Sequence, residues 1–280
     1  MKAIFSKKTL TIFIFILGFG ISIYPIVSSF IESMDHNDAI KSYSSTIESI
    51  EDDRLLEELN KAYEYNDLLF QTQGVYIGSV SDKLSDEVYY SLLDNTGTGI
   101  MATISITKID VNLPIYHGTD NNVLSNGVGH LQTSSLPVGG NSTHSILTGH
   151  RGLPSSKLFT RLDELKINDL FYIYTCGEML AYQVNEIVII EPEDVESLDI
   201  KSDEDLVSLI TCTPYGINTH RLVVTGSRIP YEEKEKEEIQ INMMSFREIL
   251  FTILPFSFML FVIIYEITDK RKEKKREKND

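Results

Sequence analysis

Three different arrangements of apolar and polar positions follow one another along the chain. Residues Thr9 to Ile31, "TLTIFIFILGFGISIYPIVSSFI", carry no charge. That run reaches the roughly 20 residues a helix needs to cross a bilayer. A second uncharged run, Ile249 to Tyr265, "ILFTILPFSFMLFVIIY", lies near the lower limit for a span, and membrane helices accommodate a proline such as Pro255. Between 32 and 70 the text turns to helix formers without Gly or Pro. There Leu55, Leu56, Leu59, Tyr63, Leu68 and Leu69 give an imperfect i, i+3, i+4 stripe, which predicts one or two amphipathic helices. Residues 71–98 are polar and mixed and predict a long irregular segment, a kind of loop that is often functional.

From Gly99 the pattern becomes that of short strands. "IMATISI", "VNLPIYHG", "HSILTGH", "FYIYTC", "LAYQVNEIVII", "LVSLITC" and "HRLVVTGSRI" succeed one another, separated by Gly, Pro, Asn and Asp turns. One helix-like piece interrupts them, "PSSKLFTRLDEL" at 154–165. Such spacing predicts a mainly β domain over 99–230, either a closed barrel or a sandwich. Residues 231–246 read as a charged linker, 247–267 as the second span and 268–280 as a basic tail.

Charge gives the ends a direction. Lys2, Lys7 and Lys8 precede the first span, and residues 269–280 hold seven Lys/Arg against four Asp/Glu. Basic flanks stay cytoplasmic, so both termini are expected inside and the middle of the chain outside the cell. Residues 1–31 are either a retained anchor or a cleaved signal peptide, and the middle is exported in both cases. The net charge of −16 divides into +3 over residues 1–31, +2 over 266–280 and −21 between them. So acidic a domain repels phosphate backbones, which excludes nucleic acid as a partner.

The chain has two cysteines. Cys176 lies in "FYIYTCGEML" and Cys212 in "LITCTPYGINTHRL". An exported pair can form a disulfide, and a bridged Cys212 could not be a nucleophile. A nucleophilic cysteine needs a base or a cation to lower its thiol pKa, and a donor for the oxyanion formed on the attacked carbonyl. Arg221 lies nine residues on, after a "PYGIN" turn that can bring the next strand back beside Cys212. His220 is its neighbour, and neighbours in a strand face opposite ways, so only one of them can face the thiol. Among six histidines, His150 stands at a strand end in "ILTGHRGLP", flanked by glycines that allow close approach. Spacing alone leaves His150 open between catalytic partner and structural residue. No Cys or His pair shows metal-ligand spacing, so no metal and no cofactor are expected.

The stretch "LITCTPYGINTHRLVVTGSRIP" resembles the strand–Cys–strand signature of sortases, most closely the pilus-assembling class C, whose members read TLxTCTPYGxNTHR. Ser208 replaces the first Thr of that pattern. The resemblance extends upstream through "VNLPIYHGT", "GVGHLQTSSLPVGGNSTHSILTGHRGLPSSKLFTRLDEL" and "LAYQVNEIVIIEP", and so covers most of 100–230. It implies a closed eight-stranded β-barrel with N-terminal helices, flanked by two transmembrane helices. It also implies catalytic roles for Cys212, for His150 in "TGHRG" and for Arg221 in "NTHR", with Thr211 and Thr213 lining the site. The implied reaction is transpeptidation. Cys212 cleaves an LPXTG-like sorting signal between Thr and Gly through a thioester, and the acyl group passes to a lysine of a pilin subunit. The alternatives are attachment of surface proteins to a lipid-linked wall precursor, and a non-catalytic membrane-tethered scaffold. Class C members close the site with a lid bearing Asp-Pro-aromatic. Here Asp82, Lys83 and Leu84 stand at that place, with no proline between Pro25 and Pro114, which implies a less pre-organised lid within 71–98.

Overall fold

The computed structural model describes residues 7–72, 82–153, 156–194, 198–233 and 246–276. Eight strands close into a barrel: β1 (Ile100–Ile106), β2 (Val111–His117), β3 (Val128–His130), β4 (Thr143–Thr148), β5 (Leu170–Thr175), β6 (Glu178–Ile190), β7 (Asp205–Thr213) and β8 (His220–Ile229). Around the barrel they run β1-β2-β3-β4-β7-β8-β6-β5. Closure leaves no strand edge unpaired, which keeps a β-rich chain from pairing with its neighbours. Two of the eight pairings are parallel, β2 with β3 and β4 with β7, and the rest are antiparallel.

Seven of these strands coincide with the runs read from the alternation. The eighth, β3, is three residues long, too short to show a period. A short helix, α4 (Asn121–Asn126), leads into it, and the Asp120 carboxylate accepts from the backbone N–H groups of Asn122 and Val123. The β5–β6 hairpin turns on Cys176 (φ +44°) and Gly177 (φ +84°), a two-residue turn with both positions left-handed. The core packs Ile104, Ile106, Phe171, Ile173, Tyr182, Leu209 and Val224, with the Phe171 and Tyr182 rings stacked at 5.4 Å.

Ahead of the barrel run α1 (Lys7–Ser49) and α2 (Asp52–Thr72). The buried stripe of α2 is Leu55, Leu59, Ala62, Tyr65 and Leu69, while Leu56, expected on it, is 56% exposed. Asn66 fixes α2 to the chain before β4: its amide donates to the Leu136 carbonyl (3.1 Å) and accepts from the Leu136 N–H (2.7 Å). In α1, Tyr43 donates to the Met101 carbonyl (3.0 Å) and His36 is buried rather than solvated.

The segment expected to be irregular, 71–98, contains α3 (Asp86–Ser91), capped by the Ser85 hydroxyl. Residues 73–81 of that segment lie outside the described residues, as do 154–155 of the helix-like piece and 234–245 of the charged linker. What is described of 154–165 is turns ending in one 3-10 turn, Leu162–Glu164.

The chain divides into two compact units, Glu32–Met243 and the two ends, Met1–Ile31 with Met244–Asp280. The Phe13–Ser49 helix, which begins in the unit of the ends, is long and apolar enough to cross a membrane. The C-terminal helix α5 (Phe246–Arg276) runs through Pro255 and holds a shorter apolar stretch, Thr252–Thr268. Within that unit Phe15 meets Phe258 (5.9 Å) and Phe19 meets Phe256 (6.2 Å), so the two helices run antiparallel where they touch.

Candidate active site

The geometry of β7 decides where Cys212 faces. Alternate residues of a strand point to opposite sides. Val207 and Leu209 enter the barrel core, as do Leu222 and Val224 of β8. Ile210 and Val223 instead join Ile146 of β4 in a second apolar cluster on the outer face, against Leu131, Val188, Ile190 and Leu198. Cys212 and Arg221 continue this outer row, two positions beyond Ile210 and two before Val223, and they are register partners across the β7–β8 hairpin.

On the other side of β7 lies β4, parallel, with Thr148 opposite Ile210. The contact continues past the end of β4. The Gly149 N–H donates to the Ile210 carbonyl (3.0 Å), and the Thr211 hydroxyl donates to the Gly149 carbonyl (2.7 Å). His150 therefore comes level with Cys212. His150, two residues past the end of β4, thus falls in register beside Cys212 of β7 and Arg221 of β8 at one end of the barrel, beside an apolar floor. All three side chains are partly exposed.

Sequence around His150 explains why the loop holds there. A Cβ on Gly149 would sit 2.8 Å from the Phe159 ring. Gly152 has φ +78° and would meet the Tyr215 ring at 3.0 Å, while its N–H donates to Thr160 (3.0 Å). Arg151 is 7% exposed and bonds to Asp163 through one nitrogen. Through the other it donates to Thr213 Oγ1 (3.1 Å) and reaches the Cys212 carbonyl (3.5 Å), and it lies 5.9 Å from the Tyr215 ring centre. Arg151 is thus a brace joining the His150 loop, the 3-10 turn and the end of β7.

Thr211 and Thr213, read as site-lining, occupy the face of β7 opposite Cys212 and act as ties to the His150 loop. Arg221 donates to the carbonyls of His220 (3.1 Å) and Asn218 (3.4 Å). His220, on the alternate face, pairs with Glu191 (3.2 Å). Among the described residues Asp82 is exposed and forms no ion pair with Arg221. Leu84 is buried in the main core cluster and not in the outer cluster beneath Cys212. The segment is held instead through α3. Tyr89 meets His130 Nδ1 (2.9 Å) and accepts from the Gly118 N–H (2.9 Å), and Gln132 donates to Asp86 (2.6 Å).

Both cysteines are free thiols. Cys176 is buried, its pKa pushed up to about 11 by that burial, and its sulfur accepts from Asn95 (3.5 Å). The disulfide that would have disarmed Cys212 is not formed. Sequence reasoning missed the outer cluster itself. The cluster's members are scattered over four strands and two loops, and only the register assembles them.

Residues 104–229 match the family model described as a sortase domain. Sortase C1 of Streptococcus agalactiae is 44% identical, with a TM-score of 0.65, and the match covers 70% of this chain and 100% of that one. Streptococcus pneumoniae sortase C, a structure described for its pilin substrate specificity, is 36% identical with a TM-score of 0.58 over 69% and 97%. Clostridium perfringens sortase C, solved with the C-terminal cell wall sorting motif, is 38% identical with a TM-score of 0.60 over 69% and 99%.

Proposed function

This chain belongs to the sortase family as a class C-like transpeptidase, and from that premise we propose that Cys212, His150 and Arg221 carry its chemistry on an LPXTG-like sorting signal of a pilin subunit. The supporting observation is the row itself. A thiol on β7, a guanidinium on β8 and an imidazole on the loop just past β4 come level on the outer face, where an extended peptide can lie along β7.

The Cys212 sulfur attacks the carbonyl of the Thr–Gly bond, and the carbonyl oxygen becomes an oxyanion. Arg221 is the cation nearest that position in the row and donates to it, in the way preorganised donors stabilise charge as it develops. Collapse breaks the C–N bond, and the His150 imidazolium gives its proton to the departing glycine amine. The acyl group then rests on sulfur as a thioester. A lysine amine from a second subunit attacks, neutral His150 takes its proton, and the isopeptide bond forms as the thiolate leaves. A thioester suits this exchange because an amine attacks it more readily than an ester.

The reaction is placed at the outer surface of the membrane. Residues of both terminal helices present large apolar side chains to their surroundings, among them Ile21 and Phe30 in α1 and Leu254 and Phe261 in α5. Helices apolar all round are solvated by lipid or by protein. With the antiparallel contacts of the Phe pairs and the basic flanks, this supports two spans with both termini inside.

Incubating the full chain in detergent with an LPXTG-type peptide and weighing the intact protein tests the reading. An acyl adduct on Cys212 that is absent from Cys212→Ala is the expected result. A free Cys212 that alkylates readily and never takes the acyl group would sink it.

A further inference from the structure

Beyond the catalytic row, the outer face of β4, β7 and β8 holds one more polar constellation, and it touches the loop that walls the apolar floor. His144 sits four positions before Thr148 on β4 and therefore on the same face. Its Nε2 is 2.8 Å from the Ser208 hydroxyl, and the Ser208 hydroxyl is 2.7 Å from Thr225 Oγ1. Its Nδ1 is 3.0 Å from the carbonyl oxygen of Asp199, in the β6–β7 connection. Ser208 and Thr225 are register partners, and His144, Ser208 and Thr225 are all buried.

The direction of this chain follows from its last acceptor. A carbonyl only accepts, so Nδ1 carries the proton and donates to Asp199. A neutral imidazole then has Nε2 as acceptor, which takes the Ser208 hydroxyl proton, and Ser208 accepts from Thr225. Burial keeps His144 below the ordinary imidazole pKa, consistent with a neutral ring. Thr225, Ser208, His144 and Asp199 form one satisfied relay from strand to loop.

What the relay holds matters because of Leu198. That residue packs on the outer cluster of Ile146, Ile210 and Val223 next to Cys212 and Arg221. Residues further along the loop are tied elsewhere. The Asp203 N–H donates to Ser142 (3.0 Å), Asn141 donates to the Asp203 carboxylate (3.0 Å), and the Thr143 N–H donates to the Glu204 carbonyl (3.0 Å). The bond from His144 to the Asp199 carbonyl ties residues 198–200 to β4. A peptide bonded to Cys212 that runs along β7 toward Ile210 covers this floor, rows along a strand lying about 7 Å apart.

We propose that His144 is a specificity-determining positioning residue, which through Asp199 pins Leu198 over the apolar floor and so sets how tightly the peptide before the scissile bond is gripped. The relay accounts for a hydroxyl at 208 being sufficient whether carried by Ser or by Thr. The inference rests on the transpeptidase reading for its substrate, while the tie itself is testable without one.

The experiment compares the full chain in detergent with His144→Phe, Ser208→Ala and Ser208→Thr. Tryptic cleavage after Lys201 reads the loop, and steady-state acyl transfer from an LPXTG-type peptide reads the grip. His144→Phe keeps the ring and removes both bonds. It is expected to raise KM roughly tenfold, with kcat changed less than about twofold, and to speed cleavage after Lys201 by a similar factor. Ser208→Ala is expected to raise KM about threefold, and Ser208→Thr to restore wild-type values. Wild-type KM and cleavage in a folded His144→Phe would overturn the proposal. If that variant does not fold, unchanged values in Ser208→Ala overturn it equally. A wild-type chain that takes no acyl group would count against the transpeptidase reading, while faster cleavage in the variants would still support the tie.

Discussion

Cys212 and Arg221 stand opposite each other on the β7–β8 hairpin, one register step before its turn, and share the outer face of the barrel. Directly opposed residues on neighbouring strands lie about 5 Å apart at their Cβ atoms. The proposed oxyanion role asks of Arg221 only that its side chain turn toward the sulfur of its register partner. In the free enzyme its Nη1 donates to the carbonyls of His220 and Asn218, neutral acceptors that it can exchange for an oxyanion.

Arg221→Ala is therefore expected to lower kcat by about 10²–10³-fold, the loss typical of removing one oxyanion donor. Arg221→Lys keeps the charge and loses the planar fork, and should recover only part of the activity. Single-turnover acylation by mass spectrometry separates this effect from substrate binding. Equal rates for all three proteins would remove Arg221 from the mechanism.

Placement of His150 depends on a glycine that has no room for a side chain. Gly149→Ala puts a methyl 2.8 Å from the Phe159 ring, and either the ring or the loop must move. Acyl transfer should fall about 10-fold or more, since displacing a catalytic group by an ångström is costly. The double variant Gly149→Ala with Phe159→Leu makes space and should regain part of the loss, measured as kcat for peptide cleavage.

Arg151 braces the same loop from beneath. In Arg151→Met the stem volume is kept, while Asp163 loses its arginine and Thr213 loses a donor. Breaking such a largely buried pair costs about 3 kcal/mol, which urea unfolding would register as a lower midpoint. Unchanged stability would show that the pair contributes nothing net to the fold.

His130 couples stability to acid. It is fully buried, and that burial lowers its pKa to about 4. The ring is thus neutral in the fold, while the unfolded chain takes up a proton below about 6.5. Its stabilising contribution is complete above that value, shrinks as pH falls and levels off below about 4. At pH 5 the loss amounts to about 2 kcal/mol. Burial lowers the pKa of His144 too, so it acts in the same direction. Urea midpoints at pH 7 and pH 5 should draw closer in His130→Gln than in the wild type. An unaltered difference would refute the assignment.

Strand text was legible because alternation over six or more residues leaves few other folds, and β1, β2 and β4 to β8 all offered it. β3 is three residues and offered none. For Cys212 the hairpin text left open whether His220 or Arg221 faces it, and the register pairs it with Arg221. His150 was not placed by local text. Its level with Cys212 depends on a parallel pairing between β4 and β7, which are far apart in sequence. Thr211 and Thr213 are next to Cys212 in sequence, while alternation turns both to the other face of β7, where they tie the His150 loop. Leu84 and Asp82 were read against a lid pattern. Leu84 is buried in the main core, and the segment's grip on the barrel comes through Tyr89, whose hydroxyl chemistry the lid pattern does not contain.

The parallel neighbours β4 and β7 also carry a kinetic consequence. After Thr148 the chain must build β5 and β6 on the far side of the barrel before Asp205 can begin the strand that inserts between β4 and β8. Contacts of such sequence separation form late, because the entropy of closing the intervening loop is lost before they reward it. Arg221 comes beside Cys212 with the local β7–β8 hairpin, whereas the His150 loop comes level only when β7 joins β4, so the row of three is complete only once the ring of strands shuts.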